Sequence, residues 1–155
     1  MIVRDCAPDD LPAVVDILEA KRAQLAAYEP RFWKQSPTSR ATTKPYLAEL
    51  LKSGEHVFLV AEHSSGIAGF LLASPVRVPP VYDAGPTAVI DDFHVADDAI
   101  WNDVGGALLT ELRLRLRERG FVQFVFVSAH RDTAKMRFLH EQGLSEHASW
   151  FNGAI

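Results

Sequence analysis

One stretch of the sequence, residues 88–107, constrains the fold more than any other. It reads AVIDDFHVADDAIWNDVGGA: an apolar run that carries acidic residues and a histidine, a short polar segment, and a Gly-Gly pair where a helical pattern starts. This pattern predicts a strand that feeds a helix through a loop. The first N–H groups of a helix lack partners within it, and together they attract anions such as phosphate. The stretch therefore predicts a phosphate-binding turn beside a strand that carries proton-transfer groups.

The composition is that of one globular domain, and it bounds the partners. The 155 residues are 48% hydrophobic and 23% charged, so residues 1–155 are treated as a single domain with one α/β core. The formal net charge of −4 argues against nucleic acid or an anionic membrane surface as the main partner, since both select basic faces. The single cysteine, Cys6, excludes an intrachain disulfide. With no signal-peptide core and no long apolar run, we expect a cytoplasmic protein without a membrane segment.

Hydrophobic periodicity predicts a mixed α/β fold in the order β-α-α-β-β-β-α-β-α-β. A uniformly apolar segment, FVQFVFVS, is typical of a central strand, because both of its faces are then covered. Strands are predicted at 2–5, 56–63, 67–74, 88–95, 121–128 and 148–151, and helices at about 11–28, 41–52, 104–119 and 132–142.

This order, with its motifs, resembles the GNAT N-acetyltransferase superfamily over nearly the whole chain. IVRDCAPDDLPAVVDIL resembles the first strand and helix of that family, and AVIDDFHV resembles its fourth strand. Asn102-x-x-Gly105-x-Ala107 aligns with the Gln/Arg-x-x-Gly-x-Gly/Ala loop that holds the cofactor. DTAKMRFLHEQGL is similar to the helix that usually reads Asn-x-x-Ala-x-x-Phe-Tyr. The order and spacing of these motifs are more specific than any one of them alone.

The resemblance implies direct transfer of an acetyl group from acetyl-CoA to an amine of a small molecule or peptide. It implies that the fourth and fifth strands diverge around the pantetheine arm, with the pyrophosphate on backbone N–H groups of segment 100–106. For Gly105 a second interpretation stays open, in which the missing side chain lets the helix pack closely on the sheet. No metal is expected. The implied cofactor-binding residues are Phe93, His94, Val95, Asn102, Asp103, Val104, Gly105, Gly106, Ala107, Asp132 and Lys135.

Three residues of the fourth strand are candidate general bases, because an ammonium substrate must lose a proton before its nitrogen can attack. Strand alternation places Asp92 and His94 on one face and Asp91 on the other. A histidine is the easier base near neutral pH, since its ordinary pKa is about 6.5. The alternative, in which the carboxylates only pair with arginine side chains, stays open.

Departures from the family pattern favour an alternative function, a non-catalytic binding or assembly module. Asn102 stands where the family has arginine or glutamine, among three aspartates of segment 97–103 that disfavour an anion. Leu139 stands where the family has the tyrosine that reprotonates the thiolate, and Asp132 where it has asparagine. An unrelated α/β binding domain with a purely structural Gly-Gly pair is a third hypothesis. Replacement proton donors are His140, Tyr82 and Tyr28.

Two loops and the end of the chain complete the prediction. The polar, proline-containing segments 29–45 and 74–87 are expected to flank the acceptor, and Phe32 and Trp33 either line that pocket or anchor their loop. Only residues 144–155 follow the last helix, which is short for the two strands that the family places there. We therefore expect an open sheet edge, covered by a second copy of the chain in a homodimer.

Overall fold

A five-stranded mixed sheet in the order β1-β2-β3-β4-β5 organises the chain in the computed structural model, which describes residues 1–153. The first four strands are antiparallel neighbours, and β5 runs parallel to β4. This mixed α/β architecture confirms the predicted fold class. The strands are β1 (Ile2–Asp5), β2 (Val57–His63), β3 (Gly66–Val76), β4 (Thr87–Val95) and β5 (Gln123–Phe126), and the helices are α1 (Leu11–Tyr28), α2 (Ser39–Ser53), α3 (Gly106–Glu118) and α4 (Thr133–Glu141).

Helices cover both faces of the sheet, so the core has two parts. On one face, β2 contributes Leu59 to a cluster with α3 residues such as Leu112. On the other face, Phe58 joins Leu18 of α1 and Leu47 of α2. Because both faces are covered, the middle of β2 is a continuous buried run and shows no apolar–polar alternation. Within the described residues, no helix combines the length and the apolar character needed to cross a membrane.

The pairing between β4 and β5 is short, and this shapes the site. Thr87–Ile90 pair with Gln123–Phe126, and a hydrogen bond of 3.0 Å from Val127 N to Ile90 O follows directly. β4 then continues for five more residues, Asp91–Val95, while the segment that follows β5 leaves the sheet. The two strands therefore diverge beyond Ile90, as the family resemblance implies.

A β-bulge interrupts β4 at Asp91. The register moves from Leu72 opposite Asp92 to Ala73 opposite Ile90, so Asp91 is the additional residue on its strand. A bulge re-aims the side chains around it. Asp91 is exposed, whereas Asp92 is half-buried.

Several predicted boundaries are corrected. No strand forms at 148–151 within the described residues, where Trp150 and Phe151 are 80% and 94% exposed. So short a segment buries too little apolar area to offset the entropy of ordering it. The predicted central strand at 121–128 is the four-residue edge strand β5, partly buried on one face and exposed on the other. The predicted loop 74–87 is shorter, because β3 continues to Val76.

Candidate functional site

The diverging strands leave a cleft, defined here as the gap bordered by β4 beyond Ile90 and by the chain from Val127 to Ala129. Lys135 of α4 reaches into it: its Nζ donates to Val127 O at 3.4 Å and lies 5.9 Å from the ring centre of Phe93. Two buried polar atoms, His94 Nδ1 and Ser128 Oγ, have no hydrogen-bond partner among the described residues. Buried polar groups are normally satisfied, so the cleft has unused capacity to bind a polar ligand.

Asp92 and His94 lie together on one face of β4, which confirms the predicted alternation. Nε2 of His94 is 3.6 Å from Oδ1 of Asp92, and the imidazole packs against Phe70 with ring centres 5.6 Å apart. Burial lowers the pKa of His94 to about 4, although Asp92 opposes this shift. The ring is therefore neutral at pH 7, and its pKa lies below the ordinary histidine value of about 6.5 on which the prediction relied.

The two aspartates beside His94 differ in their electrostatic surroundings. Burial raises the pKa of Asp92, but the interaction with His94 and the charges of Arg22 and Lys135 outweigh it, and the net pKa is lowered. The pKa of Asp91 is raised, first by partial burial and then by the charge of Asp92. Asp92 is therefore the more strongly ionised of the two carboxyl groups.

A buried ion pair joins α1 to the start of α4. Lys21 Nζ lies 2.9 Å from Asp132 Oδ2, and these two residues are 6% and 2% exposed. Asp132 also caps α4, where its Oδ1 accepts from Lys135 N at 3.3 Å. The sequence analysis missed Lys21. The available signal was its spacing, since Lys21 follows Val14 and Leu18 on the apolar face of α1.

The predicted phosphate turn is helical along most of its length. A 3-10 turn at Asp98–Ile100 leads into a π-helical turn at Trp101–Gly105, so the winding begins six residues before the predicted start at 104. Backbone N–H groups are already used at this start: Ala99 N donates to Asp97 Oδ1 at 2.9 Å, and Ile100 N donates to Asp97 O at 3.1 Å. The carboxylate of Asp97 thus occupies part of the position that an anion would take.

Gly105 and Gly106 have different surroundings. A Cβ on Gly105 would lie 2.7 Å from Cε3 of Trp101 and 3.2 Å from Cζ of Phe138, whereas a Cβ on Gly106 meets nothing within 4 Å. The missing side chain of Gly105 therefore allows close packing of the turn against α4, whereas the predicted packing interpretation placed that contact on the sheet. Trp101 stacks on Phe138 with ring centres 5.2 Å apart and meets the edge of Phe93 at 5.0 Å. This aromatic cluster joins the turn, α4 and β4.

A groove of about 200 Å³, called the loop groove here, runs between the turn and α4. It contains the exposed Arg137, a positive charge that the sequence analysis missed, beside the predicted Asn102. Two of the nearby carboxylates have partners: Asp98 accepts from Trp101 Nε1 at 3.2 Å, and Asp103 lies 3.9 Å from His63 Nε2. The carboxylate of Glu141 also lines the groove. The lining residues are Asp98, Ala99, Trp101, Asn102, Ala134, Arg137, Phe138 and Glu141.

A second groove, called the helix groove here, lies beside α1 and the segment that follows it. Phe32 and Trp33 both line it, with ring centres 5.4 Å apart. Arg22 lines this groove, and its charge contributes to the lowered pKa of Asp92. Segment 74–87 does not contribute to its lining. The lining residues are Arg22, Leu25, Phe32, Trp33, Lys34, Gln35, Ser36 and Ser39.

The replacement proton donors considered from the sequence lie in different environments. Leu139 is 6% exposed and belongs to the core. Tyr82 is 67% exposed, and the exposed His140 pairs with Glu146 at 3.1 Å. Tyr28 is half-buried, and its pKa is raised by burial and by the nearby charges of two aspartates, the buried Asp132 and Asp98 of the loop groove.

Comparison with known proteins gives one consistent result. The profile of the Acetyltransferase (GNAT) family matches residues 20–144. A mutant of the BH1408 protein from Bacillus halodurans superposes with a TM-score of 0.88 at 12% identity, covering 100% of this chain and 99% of that one. A ribosomal-protein-alanine N-acetyltransferase from Brucella melitensis gives 0.74 at 22% identity, covering 96% and 86%. A predicted acetyltransferase from Clostridium acetobutylicum, described with acetyl-CoA, gives 0.71 at 16% identity, covering 99% and 95%. Curated protein sequences give no match.

Proposed function

Because the chain belongs to the GNAT acetyltransferase family, we propose that it transfers the acetyl group of acetyl-CoA directly to a primary amine of a small molecule or peptide. The observation that carries this proposal is the cleft, where β4 and β5 separate after four residue pairs. Two residues that border the cleft carry buried polar atoms with no hydrogen-bond partner in the part of the chain that the structure describes, His94 Nδ1 and Ser128 Oγ, and this suits a polar ligand arm.

The residues of both the cleft and the loop groove fit acetyl-CoA. Bound there, acetyl-CoA supplies the activated thioester. The guanidinium of Arg137 and the amide of Asn102 are proposed to hold the pyrophosphate, and Gly106 leaves space beside them. Phe93, Val95, Val104, Ala107 and Lys135 are proposed to border the pantetheine arm, with the N–H of Val95 facing the thioester carbonyl. Asp132 accepts a hydrogen bond from Lys135 N and so positions this residue. Asp103 lies 3.9 Å from His63 Nε2 at the turn.

The Asp92–His94 pair is proposed as the general base. At pH 7 the imidazole of His94 is neutral and has a lone pair available, and Asp92 is ionised 3.6 Å away. Asp92 stabilises the positive charge that the ring acquires when it takes a proton from the acceptor ammonium. The exposed Asp91 at the bulge is proposed to pass that proton to solvent.

The helix groove is proposed as the acceptor site. It lies beside Arg22, whose charge reaches Asp92, and it offers the aromatic rings of Phe32 and Trp33 to the acceptor. This position would bring an amine toward the base from the α1 face of the sheet. The acceptor would therefore approach from the opposite direction to the pyrophosphate.

One observation favours a second function, a non-catalytic module that binds coenzyme A or a protein partner. The α4 position that usually carries the proton-donating tyrosine is Leu139, which is buried in the core. The carboxylate of Asp97 also accepts from the N–H of Ala99 at the start of the turn. A protein that binds coenzyme A but acetylates no amine would fit this alternative.

Calorimetric titration with acetyl-CoA is the experiment that separates these functions, with free coenzyme A and ATP as controls. We expect micromolar binding that is selective over ATP, followed by release of coenzyme A when a panel of peptide and small-molecule amines is added. Binding without turnover of any amine would favour the non-catalytic module. No binding up to millimolar acetyl-CoA would contradict both the enzyme and a non-catalytic module that binds coenzyme A.

Reversing the charge of the loop groove should weaken cofactor binding. Arg137→Glu is expected to raise the Kd for acetyl-CoA by about tenfold or more, because it replaces an attractive charge with a repulsive one. Gly106→Glu should also raise the Kd for acetyl-CoA. A Cβ at this position meets no atom within 4 Å, so the fold should accept the substitution. Isothermal calorimetry measures both variants.

Two controls make this test specific. Arg117→Glu, on the exposed side of α3, carries the same charge change away from the loop groove and should keep the wild-type affinity. S-acetylpantetheine, which lacks the pyrophosphate, should bind Arg137→Glu as it binds the wild type. Equal acetyl-CoA affinity in Arg137→Glu and Arg117→Glu would remove the pyrophosphate from this groove.

A homodimer is also proposed, in which a second copy covers the outer edge of β5. This edge strand carries Val125, which is 47% exposed, and Val127, just beyond the end of the strand, is 41% exposed. Exposed edges and apolar side chains favour pairing between protomers. Light scattering at several protein concentrations is expected to give twice the 17.2 kDa chain mass. A monomer that persists at the highest concentration would contradict the dimer.

A further inference from the structure

Lys135 places a cation between the two walls of the cleft. Its side chain is almost entirely buried, at 2% exposed, although it carries a group that usually remains in water. Nζ donates to Val127 O on one wall at 3.4 Å and lies 5.9 Å from the ring of Phe93 on the other. An ammonium has three N–H donors, so this one hydrogen bond leaves two of them for another partner.

The groups that surround Lys135 come from each element packed against it. Burial is the largest influence and lowers the pKa of Lys135 to about 8. Asp132 of α4 and the two β4 carboxylates, Asp92 and Asp91, oppose that shift, whereas Lys21 of α1 adds to it. The resulting pKa is close to that of an ordinary thiol, about 8.5, so a proton passes between the two groups at little cost.

We propose that Lys135 is the proton donor to the sulfur of coenzyme A, the role for which α4 offers only Leu139 at the usual position. This inference rests on the proposed function. As the acceptor nitrogen bonds to the acetyl carbon, the carbon–sulfur bond breaks and its electron pair goes to sulfur. The ammonium of Lys135 gives that sulfur a proton and becomes a neutral amine, which regains a proton from solvent. The acceptor loses its own protons through the Asp92–His94 pair.

Position favours Lys135 over Tyr28 for this role. The charged neighbours of Tyr28 are Asp132 and Asp98, and Asp98 lines the loop groove, where the pyrophosphate is proposed to lie. Lys135 lies instead against Val127 and Phe93, within the separation of the strands. A proton donor for the sulfur must reach the cleft, and of these two residues only Lys135 lies inside it.

Proton release upon ligand binding tests this inference without turnover. Coenzyme A and desulfo-coenzyme A are titrated by calorimetry at pH 7.5, in buffers of different ionisation enthalpy. If the thiol lies beside Lys135, the ammonium and the thiol together lose a proton more readily than either group does alone, so coenzyme A releases more protons than its sulfur-free analogue. Equal proton release for the two ligands, both bound by the wild-type protein, would overturn the inference.

Lys135→Met extends the test to a variant. Methionine keeps much of the length, and Asp132 keeps its partner Lys21 at 2.9 Å, so the variant is expected to melt no lower than the wild type. It should lose the additional proton release and acetylate amines about tenfold to a hundredfold more slowly, with little change in affinity for desulfo-coenzyme A. Lys52→Met, on the exposed end of α2, is the matched control and should behave as the wild type.

The possible results separate this inference from the proposed function. A wild-type protein that binds neither acetyl-CoA nor coenzyme A contradicts both. A protein that acetylates an amine equally well with Lys135→Met contradicts the inference alone. If Tyr28→Phe slows acetylation and abolishes the additional proton release while Lys135→Met does neither, the proton donor is Tyr28, and the inference is wrong.

Discussion

Replacement of Lys21 by methionine is expected to destabilise the fold by about 3–5 kcal/mol, because it leaves a buried carboxylate without its closest cation. Asp132 is 2% exposed and lies 2.9 Å from Lys21 Nζ. Lys135 does not substitute for this contact, since its Nζ is directed at Val127 O. Urea denaturation at pH 7, followed by circular dichroism, measures the change in the free energy of unfolding.

The control for Lys21→Met is Lys52→Met, which breaks an ion pair of similar length in an exposed setting. Lys52 lies 2.7 Å from Glu49, with both side chains more than 70% exposed, and this loss should cost about 0–1 kcal/mol. Adding Asp132→Asn to Lys21→Met should recover part of the lost stability, because the uncompensated charge disappears. Equal losses for Lys21→Met and Lys52→Met would mean that the buried pair contributes nothing special.

Loss of the general base should have the largest effect on turnover. We expect His94→Ala and Asp92→Ala to lower kcat for amine acetylation by about 10²- to 10⁴-fold. In each variant, the residue of the pair that remains cannot replace the missing one in accepting the proton of the acceptor amine. The Kd for acetyl-CoA should change little in Asp92→Ala, since the proposed pyrophosphate contacts are in the loop groove. Steady-state assays with an acceptor identified in the amine screen, together with calorimetry, measure these two quantities.

The pH dependence carries a signature of the buried histidine. A base accepts a proton only when it is unprotonated, so protonation of His94 reduces the rate as the pH falls through its pKa of about 4. A histidine of ordinary pKa would instead reduce the rate near pH 6.5. His147→Ala, at an exposed site near the C-terminus, should leave both rate and profile unchanged. Wild-type rates in His94→Ala and Asp92→Ala would exclude both residues as the base.

Local periodicity was sufficient to predict most of the sheet and the proximity of Asp92 and His94. Alternation along β4 predicted that Asp92 and His94 share a face, and their side chains are 3.6 Å apart. The uniformly apolar β5 segment misled this reasoning, because apolar composition does not show whether a neighbouring strand exists. Gly-Gly likewise marked a helix start but not its first turn, since the π-helical turn before Gly106 has no signal in hydrophobic spacing.

Contacts between distant parts of the chain were outside the reach of sequence reasoning. Lys21 and Asp132 are separated by 111 positions, and neither predicts the other. The pKa of His94 depends on its burial against Phe70, which strand alternation alone does not specify. The position of Lys135 in the cleft depends on the point where β5 leaves β4. Each of these features is tertiary, and each lies at the proposed site.

The brief pairing of β5 with β4 also has a consequence for how the protein opens. Four residue pairs are few hydrogen bonds to hold a strand, so β5 also relies on side-chain contacts such as that of Phe126 with Phe93, whose ring centres are 5.4 Å apart. Strands β2, β3 and β4 pair over longer stretches. Units of unequal cohesion separate at different free energies, below that of global unfolding. The wall of the cleft formed by β5 and the residues after it is thus joined to the sheet by fewer residue pairs than β4 is, and its partial release would widen the gap between the two walls.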